Sequence, residues 1–191
     1  MVVTNMFDAR DLAGRRDQIA RLLRLDNRFS EIIATWAGFG MQGEQTAPSV
    51  SVQVRDDQAP LLGVPAGTAV IRRDLHLVSS VPGPPFLAAA VTEFVYEPRL
   101  SLRLEQRRAV RSGSDLLEDL IGPLRRSVCS VITPATGRGP GDVALRATTL
   151  LVRAGTPVAV VTETVYWQLI THRLTSHSFL LSRSSRERSA P

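Results

Sequence analysis

The stretch VTEFVY at residues 91–96 returns later in the chain as VTETVY at residues 161–166. Each copy follows a turn rich in proline and glycine, namely PGPP at residues 82–85 and AGTP at residues 154–157. An apolar, alternating segment precedes each turn, so each copy predicts a β-hairpin. Two hairpins with helices around them indicate one antiparallel sheet, because no strand-helix-strand crossover joins parallel strands.

The remaining elements fit around these hairpins. Apolar positions at helical spacing predict one helix from Asp8 to about Leu25 and a second from Phe29 to Trp36. The segment SVSVQVR at residues 49–55 alternates strictly, which predicts a half-buried strand with its valines inward. A short helix capped by Ser114 is expected between the hairpins, over residues 116–121.

The fold class expected from this order is α+β, with a single antiparallel β-sheet covered by helices. Length supports one domain, because 191 residues suffice for one core. We expect the domain to span residues 1–181, with a last strand at residues 174–181, and residues 182–191 to form a Ser- and Arg-rich tail.

Composition excludes several classes of protein. Hydrophobic residues make up 43% of the chain and charged residues 21%, as in ordinary globular proteins. No apolar run approaches the roughly 18 to 20 residues of a membrane span, and no signal peptide is visible. The single cysteine, Cys129, excludes an internal disulfide. We therefore expect a cytoplasmic protein without a membrane partner, and a monomer.

The net charge of +5 is weak support for a nucleic-acid partner. All 23 basic residues are arginine, and 18 acidic residues are distributed among them. Phosphate-binding surfaces normally use lysine as well, so this bias does not mark a binding surface. We expect no nucleic acid as a partner.

Two charged residues fall on apolar faces of the predicted hairpins. Period-two alternation places Arg73 with Leu75 and Leu77, and Glu163 with Val161 and Val165. Burying an unpaired charge costs several kcal/mol, so both side chains need partners. Either they form an internal salt bridge with each other, or they line a pocket for an anionic, hydroxylated ligand. The alternation does not distinguish these alternatives.

Three segments together resemble a known family: IRRDLHL at residues 71–77, the hairpin at residues 86–96, and GTPVAVVTE at residues 155–163. They resemble chorismate pyruvate-lyase and its 4-hydroxybenzoate synthase relatives. In that family one strand supplies an arginine, and a later strand supplies Thr-Glu after a Gly-x-Pro turn. The helix at residues 25–36 is also similar to the family's opening helix, and the resemblance extends over residues 25–170.

The resemblance implies a carbon-oxygen lyase that eliminates pyruvate from chorismate to give 4-hydroxybenzoate for biosynthesis, with no cofactor and no metal. It implies that Arg73 and Glu163 are catalytic, Arg73 holding a carboxylate and Glu163 contacting the oxygen that becomes the phenol. Phe29, Ser30 and Leu116 are the implied further substrate-binding residues.

The sequence departs from the family at two places. A Leu-Gly pair is usual before the mid-chain helix, and Leu116 is followed here by Leu117. Where the relatives carry an arginine before the last hairpin, this chain has Thr148 and Thr149, with Arg146 displaced. A catalytically silent copy, or an enzyme of this fold with another substrate, therefore remains an alternative.

A rival from another class is a non-catalytic module that binds a small carboxylate, since the ligand-sensing domain of GntR-type regulators resembles the same fold. Such sensors normally follow a DNA-binding winged helix, and the stretch before Phe29 is too short for one. This expectation favours the enzyme.

Other polar residues receive ordinary interpretations. Glu93 occupies the place in the first hairpin that Glu163 occupies in the second, and a salt bridge is favoured over a role as a second pocket acid. The cluster at residues 107–111 is expected to be a solvated basic loop, and Cys129 to be buried. His172 and His177 lack partners at a metal-ligand spacing.

Overall fold

The computed structural model describes residues 9–25, 28–81, 86–113, 115–134, 137 and 139–172. It contains one sheet of six strands, each antiparallel to its neighbours, in the order β1-β2-β3-β6-β5-β4. The predicted α+β class is confirmed. The elements are α1 (Ala9–Leu22), α2 (Phe29–Ala37), β1 (Met41–Gln53), α3 (Ala59–Leu62), β2 (Ala69–Ser79), β3 (Leu87–Val95), a 3-10 turn (Glu97–Arg99), α4 (Leu104–Ser112), α5 (Leu117–Leu120), β4 (Arg125–Ile132), β5 (Val143–Arg153) and β6 (Thr156–Tyr166).

The two repeated segments form the centre of the sheet. β2 pairs with β3 and β5 pairs with β6, so both predicted hairpins are present. β3 then pairs with β6, which sets the two VTExVY stretches side by side in opposite directions. The second hairpin turns at Ala154 and Gly155, both with positive φ, of 48° and 80°. This is the turn geometry that matches the twist of paired strands.

The main core lies on one face of the sheet. It joins apolar residues of α1, α2, α4 and α5 to inward-facing positions of the strands. A smaller core lies on the opposite face, where α3 covers Val54, Val70 and Val160. Arg73 belongs to the main-core face, as the alternation of β2 predicts.

β1 differs from its prediction in length and in the face that its valines occupy. It begins at Met41, and its register shifts between Gln45 and Ala47 and again between Ala47 and Val50. Beyond these bulges Ser51 pairs with Ile71 on the main-core face. The valines therefore face the other side: Val52 packs in the smaller core, and Val50 is exposed. A bulge moves side chains between faces, which simple alternation does not predict.

Four elements are absent from the prediction: α3, the 3-10 turn, α4 and β4. The expected basic loop is the helix α4, with an amphipathic distribution that buries Val110 alone among its residues. β4 forms the far edge of the sheet, and on it Cys129 is exposed, which corrects the expectation of a buried thiol.

The helix expected over residues 116–121 is the single turn α5, with Leu116 at its N-cap. The expected cap Ser114, the strand expected at residues 174–181 and the tail lie outside the described residues. The domain boundary at residue 181 stays a prediction. Within the described ranges, no helix has the length and apolarity to cross a membrane.

Candidate functional site

Arg73 and Glu93 form an ion pair inside the core. They are cross-strand partners on β2 and β3, and Nη1 of Arg73 donates to Oε2 of Glu93. The side chains are 0% and 2% exposed, respectively. A charge pair taken fully out of water must be well hydrogen-bonded to be tolerated.

Both members of this pair also hold the backbone that connects α4 to α5. Nη2 of Arg73 donates to the carbonyl oxygens of Gly113, at 3.1 Å, and Asp115, at 2.7 Å. Oε1 of Glu93 accepts from the N–H of Leu117 at 2.8 Å. The pair thus satisfies backbone groups at the end of one helix and the start of the next.

Glu163 on β6 forms a second buried ion pair, with Arg126 of β4. Nη2 of Arg126 lies 2.8 Å and 2.6 Å from the two carboxylate oxygens of Glu163. The hydroxyl of Thr149, on the intervening strand β5, donates to Oε2 at 3.0 Å. Nη1 of Arg126 donates to the carbonyls of Leu23 and Leu25 beyond the end of α1.

Of the two alternatives for Arg73 and Glu163, the salt bridge between them is therefore wrong. Both residues are buried on the same face, as predicted, but each has a different partner. The reason is strand order: β3 lies between β2 and β6, and neighbouring strands are spaced by about 4.8 Å. Glu93, on the adjacent strand β3, is therefore close enough to pair with Arg73, whereas Glu163 lies one strand further away.

Glu118 completes the cluster from the helical side. Its Oε1 accepts from the N–H of Phe29 at 2.6 Å and from that of Ser30 at 3.4 Å, at the start of α2. Its Oε2 lies 4.0 Å from Nε of Arg126. The Oε1 acceptor thus satisfies N–H groups of the first turn of α2 that have no partner within the helix.

The electrostatics of the cluster favour a neutral Glu118. Burial, followed by the charge of Glu163, raises the pKa of Glu118 to about 8. Burial also raises the pKa of Glu93 and of Glu163, and the paired arginine opposes the rise in each case. With Glu118 protonated at neutral pH, two arginines balance two carboxylates.

The structure brings the further predicted site residues to the same place. Phe29 is buried and begins α2, Leu116 is buried at the N-cap of α5, and both line a gap with Glu93, Glu118 and Glu163. The hydroxyl of Ser30 faces Asp119 instead, at 3.3 Å. Arg146 is exposed on β5 and does not join the cluster.

The gap enclosed by these residues has a volume of about 10 Å³. That is about the space of one water molecule, so this conformation is closed around the cluster. Arg73 does not line this gap, but its partner Glu93 does, and Nε of Arg73 is buried with no hydrogen-bond partner among the described residues. The cluster therefore holds an unused donor on a fully buried cation.

Sequence reasoning missed two of the five charged members, Arg126 and Glu118. The β4 bulge between Val128 and Ser130 breaks the alternation that would have marked Arg126 as inward. Glu118 lies between the apolar positions of the expected helix, which suggested solvent exposure; α5 is too short for that periodicity to hold. In the described parts of the chain, no group of three or more potential ligands is arranged to hold a metal ion.

The fold belongs to a recognisable class, the chorismate lyase-like α+β fold with a single antiparallel sheet. The sequence matches no protein-family model and no curated protein.

Among solved structures, the chain is similar to PhnF from Mycobacterium smegmatis, with a TM-score of 0.50 and 13% identity over 73% of this chain and 64% of that one. For the effector domain of the same protein the TM-score is 0.49, with 13% identity over 73% of this chain and 88% of that one. A third structure is described as the ligand-binding domain of a GntR-family transcriptional regulator from Bordetella bronchiseptica. Its TM-score is 0.48, with 16% identity over 65% of this chain and 83% of that one. At these identities the similarity establishes the fold.

These comparisons correct the functional prediction. The expected enzyme, a carbon-oxygen lyase making 4-hydroxybenzoate and pyruvate from chorismate, is wrong, since the similar structures are regulators and their ligand-binding or effector domains.

Proposed function

We propose that this chain is a non-catalytic module that binds a small organic acid at the buried cluster and changes conformation on binding. The observation that carries the proposal is the fully buried ion pair of Arg73 and Glu93: the carboxylate lines the gap, and the guanidinium keeps an unused Nε donor. Buried charges with perturbed protonation are concentrated at functional sites more often than elsewhere in a fold. The likeness to effector domains is the reason for preferring a binder.

The chemistry of the cluster suits a carboxylate. Glu93 and Glu163 each hold an arginine as a ligand carboxylate would, so an external carboxylate can replace one of them at its arginine. The charge balance is kept when the displaced glutamate takes up a proton, and burial, which raises the pKa of both glutamates, favours this protonation. The neutral carboxyl group of Glu118 provides a hydrogen-bond donor for a ligand oxygen. Apolar walls from Phe29 and Leu116 suit the body of the ligand.

Binding also requires space. The gap of about 10 Å³ has to widen, and the segments that line it on the helical side are the start of α2 and the N-cap of α5. Both are attached to the cluster by side chains, Glu118 to Phe29 and Glu93 to Leu117. A ligand that replaces these contacts moves both helix ends, which converts occupancy into a change of shape.

The test compares thermal unfolding of the protein with 4-hydroxybenzoate, benzoate or succinate against the neutral analogue 4-hydroxybenzamide. We expect at least one carboxylate to raise the Tm in a saturable way, the amide to have no effect, and the ligand to be recovered unchanged. Arg73→Lys keeps the charge but loses the planar fork, and we expect it to weaken binding about tenfold. Arg72→Lys, on the outer face, is the matched control.

The proposal fails if no carboxylate shifts the Tm, or if Arg73→Lys and Arg72→Lys bind the ligand alike. Should Arg73→Lys not fold, Glu118→Gln serves as a second variant, because glutamine retains an acceptor for the Phe29 N–H. In the wild type, ligand binding is expected to weaken above pH 8, where Glu118 loses its proton and with it the hydrogen-bond donor. Glutamine keeps a donor at every pH, so binding by Glu118→Gln is expected to persist above pH 8.

A further inference from the structure

A second cavity opens on the same face of the sheet, separate from the buried cluster. Its volume is about 390 Å³, within the range of small-molecule sites. Half-buried Ile71 and its fully buried cross-strand partner Val95, on β2 and β3, form its floor, and Ile71 provides the exposed part of that pair. Arg111 of α4 and Glu97 of the 3-10 turn line it as well. We call this cavity the α4 cleft.

The polar groups of the α4 cleft are one exposed ion pair and two hydroxyls. Nε and Nη2 of Arg111 donate to Oε1 and Oε2 of Glu97 at 3.3 Å and 2.8 Å. The Arg111 side chain is 61% exposed and that of Glu97 is 20% exposed, so both are accessible to a ligand. Ser49 and Ser51 of β1 contribute the hydroxyl groups.

The cleft exists because β1 is irregular. Pro48 and the register shift between Ala47 and Val50 interrupt the ladder at this edge strand, and the serines that follow lie on the side of α4. A second depression, lined by Pro48 and Ser112 among others, meets the cleft at Arg111. The Arg111 guanidinium is therefore accessible from two sides, and Nη1 is not among the atoms that bind Glu97.

We propose that the α4 cleft binds a small zwitterion with an apolar body, such as an α-amino acid with an aliphatic side chain. The cleft offers a cation and an anion beside each other with no net charge, which complements a carboxylate and an ammonium on one ligand. The carboxylate binds Arg111, the ammonium binds Glu97, and the aliphatic chain lies on Ile71 and Ala69. A ligand with one charge only would leave half of the pair without a new partner.

A purely structural role explains the ion pair less well. Exposed pairs of this kind contribute little to stability, and the pair spans the mouth of a cavity. The floor is also the cross-strand pair next to that of Arg73 and Glu93 on the same face. Gly113, which follows the last residue of α4, has the carbonyl that binds Arg73. Occupancy of the cleft thus acts on the helix that the buried cluster holds.

The experiment is calorimetric titration of the full chain with L-leucine, 4-methylpentanoate and 3-methylbutylamine. The last two are leucine without its amino group and without its carboxylate. We expect saturable binding of L-leucine and binding at least about tenfold weaker for each analogue. Arg111→Gln and Glu97→Gln are each expected to weaken leucine binding about tenfold. Arg107→Gln, exposed on the same helix but outside the cleft, should leave it unchanged.

Three results would overturn the assignment: no saturable binding of L-leucine at millimolar concentration, equal binding of 4-methylpentanoate, or equal loss in Arg107→Gln and Arg111→Gln. The outcome is separable from the proposal for the buried cluster. Leucine binding should persist in Arg73→Lys, and carboxylate binding at the cluster should persist in Arg111→Gln. Each site can therefore fail alone.

Discussion

Arg73 and Glu93 face each other across β2 and β3 in the core, and each also binds backbone groups between the end of α4 and the start of α5. One ion pair therefore has two functions. It neutralises two buried charges, and it fixes the connection between two helices to the middle of the sheet. The first prediction tests this relationship.

Removing one partner should cost far more than removing both. Arg73→Met leaves the Glu93 carboxylate unpaired in the core, and we expect a loss of about 3 to 5 kcal/mol in the free energy of unfolding in urea. The double variant Arg73→Met/Glu93→Leu should regain part of this loss, but not all, because the Leu117 N–H then loses its acceptor as well. Arg72→Met, on the outer face, should cost less than about 1 kcal/mol. Additive losses in the double variant would contradict the coupling.

Glu118 should make the protein less stable as the pH rises. Its pKa is about 8 in the folded protein, above the ordinary value of 4.5, so the folded state binds more protons between these values. Stability then falls with increasing pH across this window, by at most about 1.4 kcal/mol per unit from this group. Glu118→Gln should flatten the profile measured by urea unfolding at several pH values. Glu105→Gln, exposed on α4, should leave its slope unchanged.

Arg126 should hold the end of α1 to the sheet. Its Nη1 donates to the carbonyls of Leu23 and Leu25, while Nη2 binds Glu163. In Arg126→Met we expect faster amide hydrogen exchange in α1, because the helix end loses these two hydrogen bonds. Glu163→Gln retains Arg126 and should change exchange in α1 much less. Equal effects in the two variants would show that Arg126 acts only through Glu163.

The turn of the second hairpin holds Ala154 in a left-handed backbone conformation that alanine disfavours. Ala154 has a φ of 48°, and it is the one non-glycine residue with positive φ in the described ranges. Asparagine tolerates this conformation better, so Ala154→Asn should raise the free energy of unfolding by about 0.5 to 1 kcal/mol. Ala66→Asn, at an exposed turn position without positive φ, should give no such gain. Gly155→Ala, at a φ of 80°, should destabilise by about 1 kcal/mol.

The central hairpins were predictable because their signals are local. Alternation in β2 and β6 placed Arg73 and Glu163 on the buried face, and both are buried. The turns between the strands are marked by proline and glycine. Such patterns depend only on neighbours in the chain, so they can be recognised without knowledge of the rest of the fold.

The bulged edge strands were not predictable in the same way. In β1 two register shifts turn the valines away from the main core, and in β4 one shift conceals the inward position of Arg126. A bulge changes the face of every later residue, and it is decided by the partner strand as much as by the strand itself.

By itself, the sequence determined the fold class, the two hairpins and the burial of Arg73 and Glu163, because periodicity and turn chemistry act over a few residues. Only the tertiary structure decided the partners of those charges. β3 lies between β2 and β6, so Glu93 on β3 pairs with Arg73. Glu163 pairs instead with Arg126 of β4, at the opposite edge of the sheet. Pairing between buried charges depends on strand order and on distances of a few ångström, and the free energy of a buried ion changes steeply with both.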